Sequence, residues 1–357
     1  MAENTLPANT VDLDEERNAL QIIDQTLLPG ELKILYLKTQ EEIYEAIRLL
    51  KVRGAPAIGV AAAIGVYLAA LEINAETYED FYSRFKEAKD FLASSRPTAV
   101  NLFWALGRME KTALENPGAP PAKLKEFLHD EALKIRDEDI LACKAIGEYG
   151  LELVKDGDCI LTHCNAGRLA TVRYGTALAP IHLGRERGMN FKVFCDETRP
   201  LLQGARLTAF EMAGAGVDAA LICDNMASMV MKSGKVNACF VGCDRVAANG
   251  DAANKIGTSG LAIIAGHYGV PFYVCAPSST IDMTIRDGSG IVIEERDAQE
   301  VTEMWYKERM APPGVKVYNP AFDVTDNRLI TAFITEFGIV RPSYTDNFKA
   351  IFANKFY

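Results

Sequence analysis

The sequence predicts an α/β protein in two parts: an N-terminal mixed, mostly helical domain with a small β-hairpin element, and a C-terminal doubly wound parallel-sheet domain. Three observations predict it. The 357 residues amount to roughly two domains at about 150 residues each. The first third of the chain is dominated by helical patterns. From Asp158 onward, short continuous apolar runs alternate with helical stretches. Continuous rather than alternating apolar runs mark strands buried on both faces, as in a parallel sheet covered by helices on each side.

The first element is a hairpin signal: LQIIDQTLL (20–28), the breakers Pro29-Gly30, then LKILYL (32–37). Helical patterns follow over 39–54, 54–71, 78–95, 99–116 and 124–154. The Ala-rich run from Gly54 to Leu71 has eighteen uncharged residues, the lower limit for a membrane span. It is poor in Leu, Ile and Phe, which suits a helix packed on all sides inside a protein better than one in lipid. The strongest breaker, Asn116-Pro117-Gly118-Ala119-Pro120-Pro121, precedes the expected domain boundary, and the two domains are taken as 1–130 and 131–357. Beyond it the expected strands are 159–164, 191–197, 219–224, 238–244 and 271–276, with helices near 168–187, 203–214, 226–232 and 258–267. The segment from Tyr344 to the end reads as a docked terminal helix.

Composition narrows the function. Hydrophobic residues make up 49% and charged residues 24% of the chain, which excludes a disordered or fibrous protein. With 38 basic and 48 acidic residues the net charge is −10, and an acidic surface repels nucleic-acid backbones. A small anion held by a few local cations remains compatible with that balance. The eight cysteines contain no C-x-x-C, and His129, His163, His182 and His267 give no zinc spacing. The polar, acidic first twenty residues do not read as a signal peptide, so a reduced, cytoplasmic protein with no membrane partner is expected.

In doubly wound sheets, ligands bind beyond the carboxyl ends of the strands. One strand ends in Thr162-His163-Cys164-Asn165-Ala166-Gly167, another in Gly242-Cys243-Asp244-Arg245. Cys164 and Asp244 are thus expected on one rim, where a thiol and a carboxyl can move protons on and off a ligand. A buried thiol and a helix-capping carboxylate account for the same residues. His163-Cys164-x-x-Gly167 partly matches the cysteine-phosphatase signature, but position 170 is Ala where that signature needs Arg. The loop after Cys164 and the segment Asn254-Lys255 each precede an expected helix, whose N-terminal N–H groups attract anions. Arg53, beside the start of the Ala-rich helix, and Arg96, before another helix, are further candidates. Gly214-Ala215-Gly216-Val217-Asp218-Ala219 fits a relaxed dinucleotide fingerprint but ends a helix and leads into a strand, the reverse of what that fingerprint requires, and reads as a helix cap.

RGAPAIG (53–59), SRPTAVNL (95–102), HCNAGRLAT (163–171), DETRPLLQGARLTA (196–209), GCDRVAANGDAANKIGT (242–258) and VYNPAFDVT (317–325) together resemble the methylthioribose-1-phosphate isomerases of methionine salvage. That family is related to ribose-1,5-bisphosphate isomerases and to regulatory subunits of a translation-factor exchange complex. The resemblance implies a Rossmann-like C-terminal domain, a homodimer, no metal and no cofactor. It implies Cys164 and Asp244 as the catalytic pair, and Arg53, Gly54, Ala55, Arg96, Gln203, Asn254 and Lys255 as contacts to a sugar phosphate. One departure is visible: Glu303-Met304-Trp305-Tyr306-Lys307 carries two bulky aromatics where a short Gly-containing segment is expected. If this segment covers the sugar's 5-substituent, the preference shifts, for example toward 5-deoxyribose 1-phosphate. The competing reading is a non-catalytic regulatory subunit.

Overall fold

The computed structural model describes residues 6–97 and 99–354. Its chain forms two compact units. One comprises residues up to Lys144 together with Gly167–Gly175; the other comprises Ala145–Ala166 and everything from Thr176 onward. The division therefore falls later than the expected boundary at 130/131, which lies inside one uninterrupted helix, Pro121–Leu151. No Pro or Gly breaks that helix near 130, so the breaker at 116–121 marks only the start of the helix and not the division between the units.

In the first unit, β1 (Val11–Asp14), β2 (Ala19–Ile23) and β3 (Ile34–Leu37) form an antiparallel sheet in that order. The helices are α1 (Gln40–Arg48), α2 (Ala55–Leu71), α3 (Tyr78–Ala93), α4 (Val100–Leu114) and the first part of α5 (Pro121–Leu151). Thr39 caps α1, its side chain accepting from the Glu42 N–H while Glu42 reaches back to the cap. The Ala-rich α2 is buried from Ala57 to Leu68. Its small residues admit neighbours closely: a Cβ at Gly59 would lie 2.9 Å from the Asn101 carbonyl oxygen. No described helix is long and apolar enough to cross a membrane. Several hydrogen bonds hold the inserted segment Gly167–Gly175 within this unit. Thr10 N–H donates to Val172 O at 2.8 Å, Gln25 Nε2 to Leu169 O at 2.7 Å, and Val172 N–H to the Asp139 carboxylate at 2.7 Å.

The second unit carries β4 (Cys159–His163), α6 (Ala179–Glu186), β5 (Lys192–Asp196), α7 (Ala209–Gly214), β6 (Asp218–Ile222), α8 (Ala227–Lys232), β7 (Ala238–Val241), β8 (Arg245–Ala247), β9 (Ala252–Lys255), α9 (Thr258–Tyr268), β10 (Phe272–Cys275), β11 (Ile281–Asp282), α10 (Gln299–Thr302), β12 (Phe322–Thr325), β13 (Ala332–Thr335), β14 (Gly338–Val340) and α11 (Tyr344–Asn354). Seven strands form one sheet in the order β14-β13-β10-β7-β4-β5-β6. All pairs are parallel except β13–β14. This is the expected doubly wound sheet, and the five expected strands lie within it. The sequence reading missed β13 and β14, and a separate sheet ordered β11-β8-β9-β12. The helix expected over 168–187 is a single 3₁₀ turn, Arg168–Ala170, followed by α6 only from Ala179. Gly167 and Gly175, together with the inserted course of the chain, interrupt it. The last residues of the terminal-helix segment, 355–357, lie outside the described residues.

Candidate active site

The register of the central strands builds the rim. His163 of β4 pairs with Val241 of β7 in parallel, so Cys164 and Gly242 leave the sheet side by side. A Cβ on Gly242 would stand 2.6 Å from the Ala166 Cβ, so glycine there lets the two strand-end loops meet. Asp244 follows two residues later at the start of the β8–β9 hairpin, its N–H donating to Ala253 O at 2.9 Å. Arg245 opposes Ala253 across that hairpin, which brings Asp244 to the same end as Asn254 and Lys255. The structure thus gathers Cys164, Asp244, Asn254 and Lys255 around adjacent strand ends.

Cys164 is half-buried and has φ +65°, a left-handed conformation that costs a non-glycine residue roughly 1–3 kcal/mol unless its surroundings enforce it. They do. Its N–H donates to Thr198 Oγ1 at 2.8 Å, and its carbonyl accepts from Thr208 Oγ1 at 2.6 Å. Thr198, itself at φ +65°, is fixed in turn: its N–H and that of Arg199 donate to the Asp224 carboxylate at 2.7 and 2.8 Å. Thr208 closes a π-helical turn, Gly204–Thr208. That turn needs Gly204, because a Cβ there would lie 1.6 Å from Asp196 O.

The residue before Cys164 carries a buried imidazole. His163 Nε2 lies 2.8 Å from Ile256 O and Nδ1 lies 3.0 Å from Asp196 Oδ2. A carbonyl can only accept, so the Nε2 proton is assigned by its partner. Burial disfavours the charged ring, but the hydrogen bond and charge of Asp196 outweigh it and hold His163 above its ordinary value. His163, Asp196 and Asp224 bring one ligand-type atom each within 4.8 Å of one another. Hydrogen bonding accounts for their arrangement: His163 pairs with Asp196, and Asp224 receives two backbone donors.

Gln203 is buried, and its Oε1 has no hydrogen-bond partner among the described residues. A buried acceptor left in that state is costly and suits a ligand's hydroxyl. Lys255 is buried with Nζ donating to Ala321 O at 2.9 Å and 4.5 Å from the centre of the Phe322 ring. Asn254, also buried, donates to Thr258 Oγ1 at 3.0 Å. The N-terminus of α9 is not the open anion site expected from sequence. The N–H groups of Gly257 and Ser259 donate to the Asp323 carboxylate at 2.8 and 3.0 Å. Asp323 comes from β12, a strand the sequence reading did not identify. The loop after Cys164 likewise leads into a three-residue turn, too short to present a helix N-terminus.

The other candidates lie in the first unit. Arg53 is buried, and Gly54, at φ +94°, is the N-cap of α2, with Ala55 its first helical residue and Pro56 in its first turn. A Cβ on Gly54 would stand 2.5 Å from Ala170 Cα, so only glycine fits there. Arg96 is half-buried and its carbonyl accepts from the Ala99 N–H at 3.0 Å, just before α4.

The aromatic segment after α10 belongs to the surroundings of Gln203. Trp305 Nε1 donates to Pro200 O at 2.7 Å, and the Arg206 guanidinium lies 4.8 Å from the Trp305 ring. Arg199 Nη2 donates to Val301 O at 2.7 Å and its guanidinium lies 5.7 Å from the Tyr306 ring. Residues 301–306 therefore brace the 199–206 loop. Sequence reasoning missed Thr198, Thr208, His163 and Asp196 as supports of the site. The DETR string ending β5 was the available signal, since polar residues at a strand end are site candidates.

A parallel-sheet domain whose adjacent strand ends collect a thiol, a carboxyl, an amide and a buried ammonium defines a small-polar-ligand binder of the doubly wound class. The chain belongs to the initiation factor 2 subunit family, whose model matches residues 51–342. It is 65% identical over 345 residues to a methylthioribose-1-phosphate isomerase of Symbiobacterium thermophilum, covering 97% of this chain and 96% of that one. It is 57% identical over 342 residues to a 5-deoxyribose 1-phosphate isomerase of Petrotoga mobilis, covering 96% and 98%. Its fold matches the crystal structure of 5-methylthioribose 1-phosphate isomerase from Pyrococcus horikoshii with a TM-score of 0.91 at 45% identity, over 99% of this chain and 98% of that chain.

Proposed function

We propose that the protein is an aldose–ketose isomerase that converts 5-methylthioribose 1-phosphate to 5-methylthioribulose 1-phosphate in methionine salvage. The observation that carries this reading is likeness over the whole length, 65% identical across 97% of the chain, to an isomerase of that name. The rim built by Cys164 and Asp244 supplies suitable groups.

The anomeric carbon of such a substrate is esterified to phosphate, so the ring cannot open to a free aldehyde. In the proposed course Asp244, in its acid form, donates a proton to the ring oxygen as the bond from that oxygen to C1 breaks. Cys164, as thiolate, takes the C2 proton and returns it to C1. The Asp244 carboxylate recovers a proton from the 2-hydroxyl, whose oxygen becomes the ketone. Protons balance, and both groups end as they began. Arg53, Gly54, Ala55, Arg96, Gln203, Asn254 and Lys255 are assigned to phosphate and sugar, and neither a metal nor an organic cofactor is required.

A second substrate is favoured by a specific observation. The Met304–Tyr306 segment braces the loop that carries Gln203, and a 57% identical relative is named for 5-deoxyribose 1-phosphate. Rates measured side by side on methylthioribose 1-phosphate, 5-deoxyribose 1-phosphate and ribose 1,5-bisphosphate test the assignment, and no ketose from any of them would refute it.

We further infer a cytoplasmic homodimer. Strand β6 is an edge of the large sheet, and Leu221 on that strand (53% exposed) and Met229 on α8 (77% exposed) are exposed apolar side chains. A second copy is the partner assigned to that edge. A solution mass equal to one chain would overturn the dimer.

A further inference from the structure

Cys164 is held in a left-handed conformation by side chains that touch no reacting atom under the proposed mechanism, and those side chains form one continuous network. Thr208 Oγ1 donates to the Cys164 carbonyl at 2.6 Å and accepts from Asn165 Nδ2 at 3.2 Å. Asn165 uses its amide again, donating to Glu211 Oε1 at 2.9 Å. Glu211 Oε2 lies 3.2 Å from His182 Nε2 on α6. The Glu211 side chain is wholly enclosed, at 0% exposure.

The chemistry of each link is directional. A backbone carbonyl can only accept, so the Thr208 hydroxyl proton points at Cys164 O, leaving its oxygen to accept from Asn165. The Asn165 amide has two protons, and Thr208 and Glu211 receive them. Thr208 ends the π-helical turn and Glu211 lies in α7 immediately after it. A π turn shifts the helical phase, and such turns recur at functional sites. Here it places a hydroxyl and a carboxylate, three residues apart, against consecutive residues of the strand-end loop. The strain of a non-glycine left-handed residue persists only where neighbours over-determine it, and this network, with Thr198 on the opposite peptide group, supplies that determination.

We propose that Thr208 and Glu211 are positioning residues for the Cys164 thiol: they hold its peptide in the left-handed conformation and so aim the sulfur at the substrate carbon. This rests on the reading of Cys164 as the proton carrier. Misplacing a reacting group weakens the transition state more than ground-state binding, so the loss falls on kcat.

Four variants test it in the full-length protein with methylthioribose 1-phosphate and 5-deoxyribose 1-phosphate as probes. Thr208→Val keeps the shape and removes the hydroxyl; it is expected to lower kcat by about tenfold or more with KM within about twofold. Thr208→Ser restores the hydroxyl and is expected to recover most of kcat. Glu211→Gln should lower kcat in the same way. Cys164→Ser is the control that separates the two readings. If Cys164→Ser keeps its turnover on either sugar, the catalytic reading fails and the positioning proposal falls with it. If Cys164→Ser is inactive while Thr208→Val and Glu211→Gln run at the wild-type rate, the positioning proposal alone is overturned. Should Glu211→Gln fail to fold, the Val and Ser pair at 208 still decides: equal kcat in those two, both folded, refutes the role of the hydroxyl.

Discussion

The imidazole of His163 occupies the space that a side chain at position 257 would need: a Cβ on Gly257 would stand 2.8 Å from its Cε1 and 3.0 Å from its Nε2. Glycine there serves two demands, since its φ of +102° is also one that L residues avoid. The same ring bonds to Ile256 O and Asp196. His163 thus ties together the loop after β4, the end of β5 and the segment following Asn254 and Lys255. Gly257→Ala is expected to destabilise the protein by about 2–4 kcal/mol through strain and overpacking together. Urea denaturation of the variant checks this, and an unchanged midpoint would show that the ring can step aside.

A half-buried carboxyl makes the stability of the first unit depend on pH. Asp139 is pushed up from 3.8 to about 6 because burial disfavours its charge, and the Val172 N–H and Cys143 Sγ bonds only partly offset this. The folded state therefore binds the proton more tightly than the unfolded state. The contribution is fully present below 3.8 and is lost as pH rises through about 6, by roughly 3 kcal/mol at most. Asp139→Asn keeps an acceptor for Val172 and cannot ionise. Wild type is expected to lose stability relative to Asp139→Asn between pH 4 and pH 7, by an amount on the order of 2–3 kcal/mol. Parallel stability curves for the two proteins across that range would contradict the assignment.

Trp305 is expected to influence the choice of 5-substituent because it braces the loop carrying Gln203, through its bond to Pro200 O and its contact with Arg206. Trp305→Ala removes both. The ratio of kcat/KM for methylthioribose 1-phosphate to that for 5-deoxyribose 1-phosphate is expected to change by about fivefold or more, roughly 1 kcal/mol of discrimination. A uniform loss on both sugars would make the segment a support for the loop with no part in selectivity.

Legibility from sequence followed the range of the interactions. The five core strands were visible because continuous apolar runs report burial on both faces, and the juxtaposition of Cys164 with Asp244 followed from strand ends alone. Strands β8 and β9 were not visible: each is only three or four residues, and their pairing is set by the turn at Asn249-Gly250 rather than by periodicity. Asp323 illustrates the harder case. It caps α9 from 64 residues away, and nothing near Gly257 announces it. The left-handed conformation of Cys164 was equally hidden, because that conformation is imposed by Thr198 and Thr208, each distant in sequence. Local motifs named the groups proposed to react, whereas the groups that hold them came only from the fold.

The proton-transfer course predicts a label. Cys164 is half-buried, so the S–H it forms on taking the C2 proton exchanges with solvent during the lifetime of the enol intermediate, and in heavy water the thiol returns deuterium to C1 in part of the turnovers. Partial deuterium at C1 of the ketose is therefore expected, read by NMR or mass spectrometry. A direct hydride shift from C2 to C1 would leave C1 without solvent label and would not need the thiol. Cys164→Ser and Asp244→Asn are each expected to lower kcat by about a thousandfold or more while the unfolding midpoint stays put. An unlabelled product together with an active Cys164→Ser would establish the hydride route. An active Asp244→Asn would instead assign ring opening to another acid.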